Sequence, residues 1–236
     1  MIKAIFFDWF NTLARYDPPR EEVQSQALRE FGINVAAQKV RQGLAAGDKY
    51  LFDENFITPV RKRSREEQVN LYLRQQEIIL TEIGVDVTEQ PDLAGKTLMR
   101  LRELFQGLRF VLFEDVLPTL KALRKQKLIL GLLTNLDRDM TPLCRELGLE
   151  PYLDFVVTSG EVDSDKPNAP IFLTALERAR VKATEAIHIG DQYKVDVTGA
   201  RGVGITPLLL DRYDLFPEVN DCPRLHSLSE VPKYLT

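Results

Sequence analysis

At 236 residues, with 44% hydrophobic and 28% charged side chains, the chain reads as soluble and globular, able to bury a full core as one domain or as a domain carrying an insertion. Its 31 Lys and Arg against 35 Asp and Glu leave a net charge of -4 and a pI near 5.4, so bulk electrostatics recruits it to neither nucleic acid nor anionic lipid, and a small, locally bound substrate is expected. Cys144 and Cys222 support neither a disulfide framework nor a zinc site, no stretch approaches the ~18 apolar residues of a membrane span, and Met1–Phe10 carries no signal-peptide cleavage pattern, which together predict a cytoplasmic protein.

The first predicted element is a strand, Ile2–Phe7, inside the run Lys3–Ala14 (KAIFFDWFNTLA). A strand that ends on a carboxylate, Asp8, followed by a turn and a threonine, makes Asp8 a candidate nucleophile. From residue 15 to about 110 the pattern changes to helical periodicity with almost no β-branched run. Helices are expected over Glu21–Phe31, Ala36–Phe52, Ser64–Ile83 and Leu93–Leu104. The dense basic run Arg61, Lys62, Arg63 and Arg65 precedes Glu66 and Glu67, and Ser64 with Glu67 has capping-box spacing. That run reads as the solvated entrance to a helix rather than as a phosphate or nucleic-acid patch.

From Leu112 onward short apolar runs alternate with helical patterns. A helix from Pro118 to about Lys125 precedes a strand Leu128–Leu133; a helix with Thr141 as its N-cap and Pro142 at its first position, closed by Gly148, precedes a strand Phe155–Thr158. A helix from Asn168 and Pro170 to about Arg180 leads to a strand Ala186–Ile189, and a helix from about Lys194 to Arg201 leads to a strand Ile205–Leu209. Leu225–Leu235 reads as a short strand or loop and a docking helix. Cys144, between Leu143 and Leu147 on an apolar helical face, reads as a buried thiol. The predicted fold class is α/β: a Rossmann-like parallel-sheet core made of residues 1–14 and 111–236, with an all-α insertion over 15–110.

In such a sheet the strand C-termini line one edge and ligands bind there. Asp8, Thr134, Lys166, Gly190 and Asp191 all fall at or just beyond strand ends, so residues more than 180 apart can converge. Asp8, Asp191 and Asp196 are three carboxylates at two strand ends, a concentration of like charge that calls for a cation or shifted protonation. Magnesium suits a donor set of carboxylates, a backbone carbonyl, water and phosphate. Taken singly, Asp8 and Asp191 read better as caps of the turns that follow them than as ligands; taken with Lys166 and Thr134 they read as a metal site. Lys166, held extended ahead of Pro167, can balance the charge of a nucleophile and of a transferring phosphoryl group. The Thr134 hydroxyl and Asn135 N–H can hold one anionic oxygen, or simply satisfy their own turn. His188 and His226 are the only histidines, and His188, inside a strand, reads as a hydrogen-bonded core residue.

Four fragments, Lys3–Ala14, Leu132–Asn135 (LLTN), Asp165–Phe172 (DKPNAPIF) and His188–Asp196 (HIGDQYKVD), resemble in order and spacing the four motifs of the haloacid dehalogenase superfamily. The resemblance covers the whole core, and the helical insertion matches the family's cap between its first two motifs. It implies that Asp8 attacks substrate to form an aspartyl intermediate, with magnesium held by Asp8, the Phe10 carbonyl and Asp191, Asp196 supporting from behind, and the cap closing over the site. Family phosphatases carry a second Asp two residues after the first, which protonates the leaving alcohol and then activates water. Here that position is Phe10, which can do neither.

Family dehalogenases tend to have an aromatic residue at this position, because halide leaves without a proton, but they need no metal and lack the acidic Gly190–Asp191 pair retained here. Family members with Trp after the nucleophile, the phosphonoacetaldehyde hydrolases, use a Schiff-base lysine from the cap; Lys39, Lys49, Lys62 and Lys96 are unranked for that role. The leading expectation is a magnesium-dependent hydrolase of a small phosphorylated or similarly activated metabolite with reduced general-acid capability. The alternatives are a metal-independent 2-haloacid dehalogenase and a non-catalytic binding or interaction protein. Oligomeric state leaves no trace in the sequence.

Overall fold

The computed structural model describes residues 1–235. The chain divides into a unit made of Met1–Arg15 with Val111–Thr236 and a second made of Tyr16–Phe110. Strand β1 (Ala4–Phe7) lies in the first; strand β2 (Ala14–Asp17) carries the chain into the second.

The second unit is built from four helices, α1 (Arg20–Glu30), α2 (Ala37–Ile57), α3 (Arg65–Glu82) and α4 (Leu93–Phe105), after which strand β3 (Arg109–Leu112) leads back out. Leu28, Leu80 and Leu93 join α1, α3 and α4 in one buried cluster. Helices α2 and α3 pack closely because α2 presents glycine: a Cβ on Gly43 or Gly47 would stand 2.6 Å from an Ile83 or Ile79 side-chain carbon. The basic run ahead of α3 is a helix entrance, since Ser64 Oγ accepts from Glu67 N and the Glu67 carboxylate accepts from Ser64 N. The insertion is not purely helical at its ends. Strands β2 and β3, four residues each and half-exposed, pair with one another as a separate two-stranded sheet that the sequence pattern did not announce.

The first unit continues with α5 (Val116–Lys125), β4 (Ile129–Thr134), α6 (Thr141–Glu146), β5 (Phe155–Thr158), the one-turn α7 (Ser159–Val162) and α8 (Ala169–Ala179). Then come β6 (Ala186–Gly190), a π-helical turn (Tyr193–Val197), α9 (Thr198–Gly202), β7 (Thr206–Leu210) and β8 (Arg224–Leu225), with a 3₁₀ segment Leu228–Tyr234 at the end. The helix expected over Lys194–Arg201 is therefore two pieces. Its first turn is widened, and Gly199 admits the Phe172 ring and Pro167, to which a Cβ would come within 2.6 and 2.9 Å. At α6 the cap is not the Thr141 side chain: Thr141 lies in the first turn, and the Asp139 carboxylate accepts from its N–H at 2.8 Å.

Six strands form one parallel sheet in the order β5-β4-β1-β6-β7-β8. The central strands β1 (AIFF) and β6 (AIHIG) are buried at every position, as expected of a parallel sheet covered on both faces. One face packs Phe6, Leu133 and Val157 under Ile171, Phe172 and Ala175 of α8; each such large side chain taken from water contributes about 1.5–3 kcal/mol. Register decides what happens at the sheet's edge. Phe7 stands opposite Leu132 on one side and Ile189 on the other, so the residues that follow, Asp8, Thr134, Gly190 and Asp191, leave the sheet at nearly one level. Cys144 is 4% exposed, and burial pushes its thiol up to about 11, as an inert core residue should be. No helix among the described residues is long and apolar enough to cross a membrane.

Asp115, at the start of α5, fastens three segments of this unit. It takes both Arg212 Nη atoms at 2.9 Å, the Ser227 hydroxyl at 2.7 Å and Leu228 N at 2.8 Å, and Arg212 in turn donates to the Thr12 carbonyl at 2.9 Å from over the Phe113 ring. Asp115→Asn strands a guanidinium that is 9% exposed, and it is expected to cost about 2–4 kcal/mol in urea denaturation. A loss below ~0.5 kcal/mol would mean that the pair is no more than a surface contact.

Candidate active site

Strand β1 hands Asp8 to the edge of the sheet, where its N–H still donates to Ile189 O of β6 at 2.8 Å. The chain then turns sharply: Leu13 N and Ala14 N both donate to Trp9 O at 2.9 and 3.0 Å, Asn11 N donates to Ala14 O at 2.7 Å, and Phe10 bridges to Ala14. Asn11 adopts φ +56°, a left-handed conformation that Asn tolerates. Trp9 is fully buried and anchors the turn. The same turn aims Asn11 Nδ2 at Asp191 Oδ2, 3.3 Å away.

Lys166 reaches this point from the loop ahead of α8, and its side chain is 1% exposed. Its Nζ donates to Asp8 Oδ1 at 2.5 Å and to Asp196 Oδ1 at 2.7 Å. The Asn135 side chain clasps the lysine's backbone, Oδ1 accepting from Lys166 N at 2.7 Å and Nδ2 donating to Lys166 O at 3.0 Å. The sequence assigned Asn135 only a backbone N–H; the side-chain clasp across 31 residues was beyond its reach. Thr134, 3% exposed, accepts from Leu136 N at 3.3 Å, tying its own turn while its hydroxyl proton remains free to donate.

The third arm comes from β6. Gly190 ends the strand at a point where a Cβ would fall 2.1 Å from Asp196 Cγ, so only glycine lets the π-helical turn fold Asp196 back over the strand. Asp196 is 1% exposed and fully engaged: Oδ1 accepts from Lys166 and lies 2.9 Å from His188 Nε2, while Oδ2 accepts from Gln192 N at 3.1 Å. The hydrogen bonds of Asp191, from Asn11 and from Gln192 Nε2 at 2.9 Å, both arrive on Oδ2. Ligand oxygens of Asp8, Asp191 and Asp196 lie within 4.8 Å of one another. The structure thus brings together Asp8, Lys166, Asp191 and Asp196, with Thr134 and Asn135 at the neighbouring strand end.

Three carboxylates against one ammonium leave the cluster negative, and the protonation pattern records it. Burial, with the Asp196 charge, pushes Asp8 up to about 6 in spite of Lys166. Burial and the charges of Asp8 and Asp196 lift Asp191 well above the usual carboxylate range. Burial would raise Asp196 too, but the Lys166 charge and the His188 hydrogen bond outweigh it and hold this carboxyl far below that range. Burial likewise works against the Lys166 ammonium, and Asp196 and Asp8 more than compensate, keeping it charged. The permanent core of the site is therefore the Lys166–Asp196 pair. Asp8 and Asp191 are the two carboxylates short of positive charge, a donor set that fits a hard divalent cation.

A sequence profile of haloacid dehalogenase-like hydrolases matches residues 2–204. The chain belongs to this family of hydrolases. Among haloacid dehalogenase-like relatives, the human haloacid dehalogenase-like hydrolase domain-containing protein 3 is 35% identical over 239 residues, covering 99% of this chain and 92% of that one. Against the zebrafish (Danio rerio) protein of the same name the match is 37% over 126 residues and spans about half of either chain, 52%. A glyceraldehyde 3-phosphate phosphatase from Methanopyrus kandleri is 29% identical over 227 residues, covering 94% of this chain and 90% of that one. Among solved structures, a 2-haloacid dehalogenase from Pseudomonas syringae pv. tomato DC3000 aligns over 99% of this chain and 97% of that one, with 27% identity and a TM-score of 0.56. In this haloacid dehalogenase-like chain the residues that sequence reasoning passed over are Asn11 and Gln192, which hold Asp191, and the bond from His188 to Asp196. Only His188 left a signal, as a polar residue inside an apolar strand, which must find a partner.

Proposed function

We propose that the chain is a magnesium-dependent hydrolase acting through Asp8 on a small phosphorylated or similarly activated metabolite. The carrying observation is the convergence of Asp8, Asp191 and Asp196 within 4.8 Å of one another, with the Lys166 ammonium bonded to Asp8 and Asp196. Asp8, Asp191 and the Phe10 carbonyl would hold the cation, with Asp196 braced behind them. Magnesium, when bound, supplies the positive charge that the cluster lacks and a Lewis-acid contact for a phosphoryl oxygen. Asp8 Oδ attacks phosphorus, the bond to the leaving oxygen breaks and takes its electron pair with it, and Lys166 balances the charge on the phosphoryl group. Water then attacks the aspartyl phosphate and returns Asp8 and phosphate. Phe10 offers no proton to the leaving oxygen, so leaving groups that are stable as anions are favoured. The phosphatase names carried by relatives in Methanopyrus kandleri and Halopiger xanaduensis agree with a phosphate substrate.

A second reading, 2-haloacid dehalogenase, draws on Phe10 and on the 27% identity to the Pseudomonas syringae enzyme; halide also departs without a proton. The acidic pair Asp191 and Asp196 speaks against it, because an Asp8 carboxylate attacking carbon has no use for a cation site.

A magnesium titration tests the proposal. At magnesium ~100-fold above its dissociation constant, stabilisation of about 2.7 kcal/mol should raise the Tm by roughly 5 °C. Asp191→Asn should remove the rise. The sign of its pH dependence follows from Asp8, whose carboxyl burial pushes above the ordinary carboxylate range, up to about 6. Stability from its neutral form is present below the unfolded pKa and lost as pH climbs through about 6, so the metal-free protein weakens across that window and the magnesium response grows. An unchanged Tm at millimolar magnesium, with halide released from 2-haloacids, would transfer the case to the second reading.

A further inference from the structure

His188 occupies the middle of β6 in the run Ala-Ile-His-Ile-Gly, buried at every position, with the Phe172 ring edge-on at 5.1 Å. An imidazole in such a place, 0% exposed between apolar neighbours, is costly unless it makes a hydrogen bond. Its Nε2 lies 2.9 Å from Asp196 Oδ1, the same oxygen that receives Lys166 Nζ at 2.7 Å. Asp196 does not sit on the sheet. It rides on the π-helical turn, and its other oxygen is bonded by Gln192 N, four residues earlier in the chain and at the entry to that turn, so this contact moves with the turn itself. The His188 contact is the one that ties the Asp196 carboxylate to the rigid sheet. Lys166 in turn is shared between Asp196 and Asp8, 2.7 and 2.5 Å away, so the place of its ammonium depends on where Asp196 is held.

We infer that His188 is a positioning residue: its Nε2–H donates to Asp196 and through it fixes the Lys166 ammonium beside Asp8. The inference rests on the hydrolase reading for its effect on turnover, and on geometry alone for the hydrogen bond. Without this donor, Asp196 can swing with its turn and carry Lys166 off Asp8. Misplacement of a charge-stabilising group by about 1 Å costs on the order of 100-fold, and removal of a residue that orients such a group costs ~10–100-fold. The expected signature is a fall in kcat with little change in KM, because the ammonium acts where charge develops rather than where substrate docks.

The test uses two variants and one spectrum of the full chain. His188→Leu, which fills the space without a donor, should lower kcat on p-nitrophenyl phosphate ~10–100-fold; His188→Gln, whose amide N–H can reach where Nε2–H stood, should restore most of it. With only two histidines in the chain, the His188→Gln spectrum assigns His188 by difference in a long-range ¹H–¹⁵N experiment on the wild type. A proton on Nε2 supports the inference. A proton on Nδ1 alone overturns it, whatever the kinetics, and remains decisive if His188→Leu does not fold. Equal losses in the Leu and Gln variants, or a Leu variant with kcat within about twofold of wild type, would overturn the positioning role as well. If the wild type releases no phosphate from any substrate, the hydrolase reading falls, while the tautomer still decides whether His188 holds Asp196.

Discussion

Asp8→Asn is expected to abolish phosphate release from every substrate while the protein stays folded. The amide is nearly isosteric with the carboxylate but carries no charge and cannot form an aspartyl phosphate, so a loss of at least about 1,000-fold, roughly 4 kcal/mol of barrier, should follow. Stability should move the other way. Burial already pushes the Asp8 carboxyl up to about 6, so a neutral side chain relieves like charge against Asp191 and Asp196, and Lys166 keeps Asp196 at 2.7 Å. The melting temperature of the metal-free variant should therefore equal or exceed that of the wild type, and its magnesium response should weaken. Phosphate release within tenfold of wild type would show that Asp8 is not the nucleophile; a collapsed melting curve would show that it is part of the scaffold.

Much of the fold was legible because the strands of the parallel core, the two-residue β8 apart, are short apolar runs closed by turn chemistry. Phe155–Thr158 is found at the expected residues, and Ile129–Thr134 and Ala186–Gly190 within one residue at either end. Strands β2 and β3 were hidden for the opposite reason: Ala-Arg-Tyr-Asp and Arg-Phe-Val-Leu are half-exposed, four residues long, and stabilised by pairing with each other across more than 90 residues rather than by any local pattern. The helix after Asp191 was misread in its first turn because hydrophobic periodicity does not separate a π-turn from an α-turn. What widens the turn is the requirement to fold Asp196 back against Gly190, a tertiary demand.

The candidate site shows the same division. Residues at strand ends could be gathered in advance, since a parallel sheet delivers them to one edge: Asp8, Thr134 and Asp191 are of this kind. The contacts that orient them could not. Asn135 reaches across 31 residues to clasp the Lys166 backbone, and Asn11 reaches 180 residues to Asp191; both depend on loop geometry that no periodicity encodes. His188 lies between the cases. Its position inside an apolar strand announced that it must be hydrogen-bonded, but not that its partner would be Asp196.

Phe10→Asp should narrow the chain's preference among leaving groups. A leaving alkoxide must be protonated as its bond to phosphorus breaks, whereas a nitrophenolate or a carboxylate departs as a stable anion. A positioned acid contributes ~100 to 10,000-fold, or about 3 to 5 kcal/mol, and Phe10 supplies none. The wild type should accordingly cleave acyl and nitrophenyl phosphates far better than alkyl phosphates, and Phe10→Asp should narrow that gap by roughly 100-fold or more. The half-buried ring is lost in the exchange, which is expected to cost about 1–3 kcal/mol of stability, so each rate is compared at temperatures well below both melting points. Phe10→Asn separates acid from shape, because it leaves the same space with no proton to give and should leave the gap as wide as in the wild type. If Phe10→Asp folds, responds to magnesium and still shows the wild-type gap, position 10 does not limit the reaction; if neither protein cleaves even the activated phosphates, a binding role becomes the better account of this site.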